Sequence, residues 1–212
     1  KKGKVVKAIQ GDRTSYQPID LITRYSSNPI TFIKNLIITY KPSTIYLADL
    51  DLLDGDGDNI DIISRIAHMF RNKTFWVDVG SKKINKLSKR NIIPILCSES
   101  CDDIKLINYV YKDYIHSYDY KNRFLGTQYF KKLNSSYKKK IIFMNISDVG
   151  NNKGPDFRYL RKMLKHSDIE YYVGGGVNSI LDLYKLSTMN ISGAIVSSIL
   201  MSKKTSNYVI KK

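Results

Sequence analysis

Short apolar, β-branched runs alternate along the chain with longer stretches in which apolar residues recur every three or four positions. The short runs are Lys4–Ile9, Thr44–Leu50, Thr74–Val79, Ile92–Cys97, Tyr114–Tyr118, Ile141–Ile146, Tyr171–Val173 and Ala194–Ser197. Most are apolar nearly throughout rather than at every second position, the pattern of parallel strands covered on both faces. The longer stretches read as helices. Asn28-Pro29 places a capping residue before a proline at the first helical position. Ile33, Leu36, Ile37 and Tyr40 follow at helical spacing, and Lys41-Pro42 ends the run. A second stripe is Ile63, Ile66, Ala67 and Phe70. A third is Ile104, Ile107 and Val110 behind Asp102 and Asp103. A fourth is Phe157, Leu160 and Leu164 behind Asp156, and a fifth is Ile180, Leu181 and Tyr184 behind Ser179.

Strands alternating with helices predict a parallel α/β fold. A closed barrel and an open doubly wound sheet both satisfy that order, and eight units with no evident edge strand favour the (β/α)8 barrel. No Gly/Ser/Pro linker divides the chain, so residues 1–212 are expected to form one domain. At 212 residues the chain is short against the ~250 usual for this architecture. It opens on Lys1 rather than methionine, so the first strand is expected to begin before residue 1.

Composition narrows the function classes. Apolar residues make up 42%, enough for a sizeable core, yet no apolar run approaches the ~20 residues of a membrane span. A soluble, cytoplasmic protein with no membrane partner is expected. Cys97 and Cys101 suit a reducing compartment, and with only three histidines and no second Cys/His pair, no zinc site or other metal is expected. The net charge of +16 permits nucleic-acid binding, but the lysines are scattered. The densest run, Lys138-Lys139-Lys140, has no nucleic-acid-binding motif beside it, so no nucleic-acid partner is expected. The same charge suits steering of a small phosphorylated metabolite.

Four places could carry chemistry. Gly174-Gly175-Gly176 follows the seventh run and precedes a capped helix. Glycines there expose backbone N–H groups that can cradle an anion. Ser197 and Ser198, after the eighth run, form the companion segment, because barrels often bind phosphate between these two turns. A glycine-rich turn without ligand is the plainer alternative. Asp119, in Ser117-Tyr118-Asp119, stands at the end of the fifth run, where a carboxylate is a catalytic candidate or else a loop cap. Asp49 and Asp51 end the second run and are expected to point into the barrel mouth. Asp54-Gly55-Asp56-Gly57-Asp58 fails as a calcium loop, because Asn59 and Arg65 stand at the glycine and glutamate positions. Arg13, in Gln10-Gly11-Asp12-Arg13, could clamp an anion or form a surface pair.

Together these residues resemble the histidine-biosynthesis isomerase family of the HisA/HisF type. Gly3-Lys4-Val5-Val6-Lys7-Ala8-Ile9-Gln10-Gly11-Asp12 resembles its opening. Asn28-Pro29, Tyr46-Leu47-Ala48-Asp49-Leu50-Asp51, Ser117-Tyr118-Asp119 and Gly174-Gly175-Gly176-Val177 match in order over nearly the whole chain. The resemblance implies a TIM barrel of the ribulose-phosphate-binding type, a monomer, no cofactor, and an Amadori-type rearrangement of an aminoaldose to an aminoketose. Asp119 would be the acid. The partner carboxylate would be an Asp one or two residues before Lys1. Arg13, Asp49, Asp51 and Asn145 would contact a ribosyl-type substrate.

The departures are informative. The family binds two phosphates. Here the glycine cluster of the third run is Val77-Asp78-Val79-Gly80-Ser81, and Cys97-Ser98-Glu99 adds a further acid, so a second phosphate at Gly80, Ser81 and Ser98 is doubtful. Val149 falls where the family has an acid, Met144 or Asn145 replaces a threonine, and Ser197 replaces a glycine. A diverged member is implied. Three alternatives to the isomerase stay open: a synthase or lyase acting outside histidine synthesis through Asp49, Asp51 and Asp78, a non-catalytic phosphate-ligand binder, and a nucleic-acid module suggested by charge alone. Relatives of this type are associated with one-carbon cofactor metabolism.

Overall fold

Seven parallel strands follow one another in sequence order across a single sheet. They are β1 Thr44–Ala48, β2 Thr74–Asp78, β3 Ile92–Cys97, β4 Ile115–Lys121, β5 Lys140–Asn145, β6 Glu170–Gly174 and β7 Gly193–Ile195. The computed structural model describes residues 1–80, 87, 90–101, 114–127, 140–151, 153–164 and 168–201. Register is continuous: Ala48 faces Asp78, Asp78 faces Ile95, Asp119 faces Met144, and Met144 faces Gly174, which faces Ile195.

The sheet curls into a near-closed barrel, which removes the open-sheet alternative. Trp76 on β2 and Tyr172 on β6 show why. Four strand spacings separate them, about 19 Å in a flat sheet at ~4.8 Å each. Their rings nevertheless meet edge to face at 4.6 Å between centroids. Trp76, Ile95, Ile115 and Ile142 fill the barrel interior, with Tyr46, Met144 and Ile195 packed against them. Two further apolar layers lie between strands and helices, one built on Ile33, Ile66, Phe75 and Val77, the other on Phe143, Leu160, Tyr171 and Leu186. Phe75, Val77, Ile95 and Ile142 are wholly buried, each contributing about 1.5–3 kcal/mol by leaving water.

The helices begin where their caps dictate. Asn28 accepts from the Thr31 amide ahead of α1 (Pro29–Tyr40), which ends with Lys41 in the left-handed conformation. Asp49 caps the short α2 (Leu50–Asp54), and Ile63, Ile66 and Ala67 are the buried face of α3 (Ile60–Met69). Asp156 caps α4 (Phe157–Met163). Ser179 and Asp182 form a reciprocal capping box on α5 (Ile180–Ser187). A four-residue helix, α6 (Ser198–Met201), follows β7. The expected helix over Ile104, Ile107 and Val110 lies outside the described residues.

Two expectations are corrected. Lys4–Ile9 is not a barrel strand. Only Val6–Lys7 is extended, pairing antiparallel with Gln17–Pro18. Lys4 and Lys7 interrupt the apolar run, and the Val5 amide and carbonyl are taken by Ser27 and Ile19 rather than by a barrel strand. In α5 the stripe is misphased: Ile180, Leu181 and Tyr184 are exposed, and Leu183 and Leu186 face the core instead.

Candidate active site

A cavity of about 1380 Å³ opens at the C-terminal ends of the strands and continues down between the edges of β1 and β7. Its mouth brings together groups from almost every turn. Arg13, Asp49, Asp78, Glu99 and Asp119 line one side; Gly175, Gly176, Ser197 and Ser198 line the other.

Asp119 is held from three directions. Ser117, two residues earlier on the same face of β4, donates its hydroxyl at 2.6 Å. The Ser98 hydroxyl and the Glu99 amide, from the turn after β3, donate to the other oxygen at 3.2 and 3.0 Å. Ser98 in turn accepts from the Asp119 amide at 2.8 Å. All these donors are neutral. Burial, and then the nearby Asp78 carboxyl, push the Asp119 carboxyl up to about 8, so at neutral pH it carries a proton it can give. β4 runs two residues past this aspartate, so Asp119 is fixed within a strand rather than on a loop.

Asp78, at the end of β2, is also buried. Tyr46 donates to it at 3.3 Å, the Cys97 thiol at 3.1 Å and the Gly80 amide at 3.1 Å. Burial raises its pKa. Burial and the neighbouring acids raise those of Tyr46 and Cys97 well above their usual values. Gly80 and Ser98, two of the three residues considered for a second phosphate, are therefore already bonded to carboxylates. Ser81 lies outside the described residues.

Arg13 arrives from the N-terminal loop. Gln10 and Gly11 both adopt positive φ, and a side chain on Gly11 would strike the Ile146 carbonyl oxygen at 2.7 Å. A Cβ on Gly150 would meet the Ala8 carbonyl oxygen at 2.0 Å. The loop is thus seated tightly on the turn after β5, with Arg13 directed across the mouth. Its guanidinium pairs with Glu99 and, at 3.2 Å, with Asp54. The surface pair and the mouth position are realised together.

Other predicted residues have different work. Asp49 lines the mouth, but its carboxylate caps α2 through the Leu52 amide and holds Asn59 through that residue's backbone and side chain. Asp51 does not line the cavity. Its carboxylate holds the Lys2 amide and the Asn59 side chain, tying the N-terminal segment down. Asn145 donates to Asp148 at 2.6 Å, and its side-chain oxygen is buried with no partner among the described residues.

On the glycine side, Gly175 and Gly176 have φ of 88° and 83°, and a Cβ at either would lie 2.1 or 2.4 Å from the carbonyl oxygens of Asn145 and Gly154. Only glycine fits such a turn. Gly174 sits below, within the strand, against Met144. The Asn178 and Ser179 amides bond Asp182, so the start of α5 satisfies itself and the glycine turn faces the mouth independently. Ser197 is exposed and Ser198 half-buried beside it.

Asp78, Cys97 and Glu99 place one ligand atom each within 4.8 Å of one another. A metal ion there would have to displace the Arg13 guanidinium from Glu99 and remove a proton from a thiol whose ionisation burial opposes. Asp54, Asp56 and Asp58 form no such group among the described residues.

An uncharacterized protein of Methanocaldococcus jannaschii is 31% identical over 196 residues, covering 88% of this chain and 83% of the relative. The model of the family described as histidine biosynthesis protein matches residues 108–206, the span holding Asp119 and the glycine turn. The chain belongs to the histidine biosynthesis protein family. Within that family it is a diverged member. The enzyme named 1-(5-phosphoribosyl)-5-((5-phosphoribosylamino)methylideneamino) imidazole-4-carboxamide isomerase from Clostridium novyi is 24% identical over 94% of this chain and 90% of its own length. The same-named enzyme from Bacillus cereus is 28% identical over 76% and 75%. The fold is accordingly an isomerase-type (β/α)8 barrel of this family.

Sequence reasoning missed the residues that hold the acids. Ser117 could have been found from its spacing, because residues two apart on a strand share a face. Tyr46 and Cys97 carry no such signal; only the register of β1 to β3 brings them to Asp78.

Proposed function

We propose that this protein is a sugar-phosphate isomerase that converts a phosphorylated aminoaldose to an aminoketose. The observation that carries the reading is Asp119: a buried carboxyl, its pKa pushed up to about 8 by burial and by Asp78, facing the same cavity as the glycine turn. The phosphate would rest against the backbone of Gly175 and Gly176 and the Ser197–Ser198 turn. Asp119 would give its proton to the ring oxygen as the carbon–oxygen bond at the anomeric carbon breaks. A base would then take a proton from the neighbouring carbon, and the enaminol would tautomerise to the aminoketose.

Two carboxylates are candidates for the base. One is the Asp expected before Lys1. Support for it is the apolar slot between β1 and β7, flanked by Val5, Ile45, Leu47 and Ala194. An eighth parallel strand there would deliver its C-terminal end to the mouth, where Lys1 already lies. The other is Asp78, already in the mouth; it favours the second reading, a lyase or synthase on the same scaffold. Complementation of an isomerase-deficient strain separates the two. Growth restored by the protein and abolished by Asp119→Asn supports the isomerase; no growth from a well-expressed protein favours the other chemistry.

A further inference from the structure

Three side chains on the acid side converge in a way that the proton chemistry of Asp119 does not use. The Asp78 carboxyl, the Cys97 thiol and the Glu99 carboxyl each bring one donor atom within 4.8 Å of the others. Asp78 and Cys97 are 5% and 0% exposed, at the ends of the adjacent strands β2 and β3. Glu99 reaches in from the turn that follows β3 and lines the mouth. The thiol has a single proton and gives it to Asp78 at 3.1 Å, so the Ser100 hydroxyl, 2.9 Å from the sulfur, donates to it. An outer hydrogen bond of that kind steadies a metal-bound thiolate. Arg13 already supplies the cluster with positive charge through Glu99, and its other arm rests on Asp54 at 3.2 Å. With Asp54 as a second anchor, the guanidinium can leave Glu99 without becoming an unpaired buried charge.

We propose that Asp78, Cys97 and Glu99 bind a divalent cation of the thiol-seeking class, Zn²⁺ or Co²⁺, with a fourth position open to the mouth. On binding, the thiol proton passes to solvent, a sulfur–metal bond forms in its place, and Arg13 retires to Asp54. The charge of the ion offsets the desolvation that opposes a buried thiolate and a buried carboxylate. No Cys/His spacing announces the site, because two of its ligands are carboxylates and the register of β2 on β3 brings one of them to the thiol. Asp119 accepts from the Glu99 amide, and an ion beside it would favour its charged form. The ion would therefore inhibit the reaction proposed above, a consequence that rests on that reading, whereas the binding does not.

Cobalt titration of the metal-free whole protein, followed by absorption, tests the site whether or not the isomerase reading holds. A thiolate-to-cobalt charge-transfer band is expected to grow and saturate at a single ion per chain, to vanish on addition of Zn²⁺ and to survive Mg²⁺. Cys97→Ser should remove the band, and Cys101→Ser, in the apolar layer outside the barrel, should keep it. Glu99→Gln should weaken cobalt binding at least about tenfold. Arg13→Gln should tighten it roughly two- to fivefold, the worth of an ion pair that no longer has to be broken. No thiolate band in the unaltered protein, a band that persists in Cys97→Ser, or weaker binding in Arg13→Gln would overturn the proposal. Should Cys97→Ser fail to fold, the unaltered protein together with Cys101→Ser, Glu99→Gln and Arg13→Gln decides it.

Discussion

The strand ends of β2 to β4 and those of β6 and β7 occupy equivalent places on one barrel and do opposite things. On the first side three polar groups that could receive an anion are turned onto carboxylates: the Gly80 amide onto Asp78, and the Ser98 hydroxyl and Glu99 amide onto Asp119. On the second side Gly175 and Gly176 pack directly on neighbouring carbonyls, and the amides bonded to a carboxylate are those of Asn178 and Ser179, on Asp182 at the start of α5. The comparison teaches that one acid placed on a strand end converts a potential anion site into a proton-handling site, because the amides that would have held phosphate are consumed by the acid.

The largest expected effect comes from breaking the acid side. Asp119→Asn should lower turnover by about 10²–10⁴-fold, the usual contribution of a positioned acid. Its stability should move the other way. The folded carboxyl titrates near 8 against an ordinary value near 4, so folding takes up a proton between those limits. The stability of the native protein therefore falls as pH rises from about 4 to about 8, and the asparagine variant escapes that loss. Thermal midpoints compared at about pH 5 and about pH 9 should show the variant gaining only at the higher pH.

Next in size is the glycine side. Gly175→Ala forces a Cβ to within 2.1 Å of the Asn145 carbonyl oxygen at a φ of 88° and should destabilise by roughly 1–3 kcal/mol or more, read by urea unfolding. A smaller effect is expected from Asp78→Asn, which removes the second cause of the raised Asp119 pKa. The midpoint followed by carbon NMR of the aspartate carboxyl should fall below that of the unaltered protein; an unchanged midpoint would mean the two acids do not sense each other. Smallest is Arg13→Lys, which keeps the charge but loses the planar fork shared by Glu99 and Asp54, and should cost about 1 kcal/mol or less in the same urea assay.

Much of this architecture was legible in the chain. The seven barrel strands follow from continuous apolar runs, and Asn28-Pro29, Asp156 and Ser179 mark helix starts by chemistry that acts within three residues. Lys4–Ile9 misled because its β-branched residues suit any extended segment, and whether such a segment joins the barrel depends on partners far away in sequence. The α5 stripe failed for a related reason: Ile180, Leu181, Leu183, Tyr184 and Leu186 offer two possible faces, and packing against the sheet selects one. At the site, Asp119 and the glycines were readable from their positions at strand ends. The employment of Asp51 by Lys2 and Asn59, and of Ser98 by Asp119, was not, since each bond joins residues from separate turns that only the sheet register brings together.

The central claim is that phosphate sits on the glycine side of the mouth and not on the acid side. Backbone amide NMR during titration with ribose 5-phosphate tests it most directly. The account predicts shifts concentrated at residues 175–177 and 197–199 that saturate together, with the Gly80 and Glu99 amides moving less. The largest shifts at Gly80 and Glu99, or no saturable shift at either side, would contradict it.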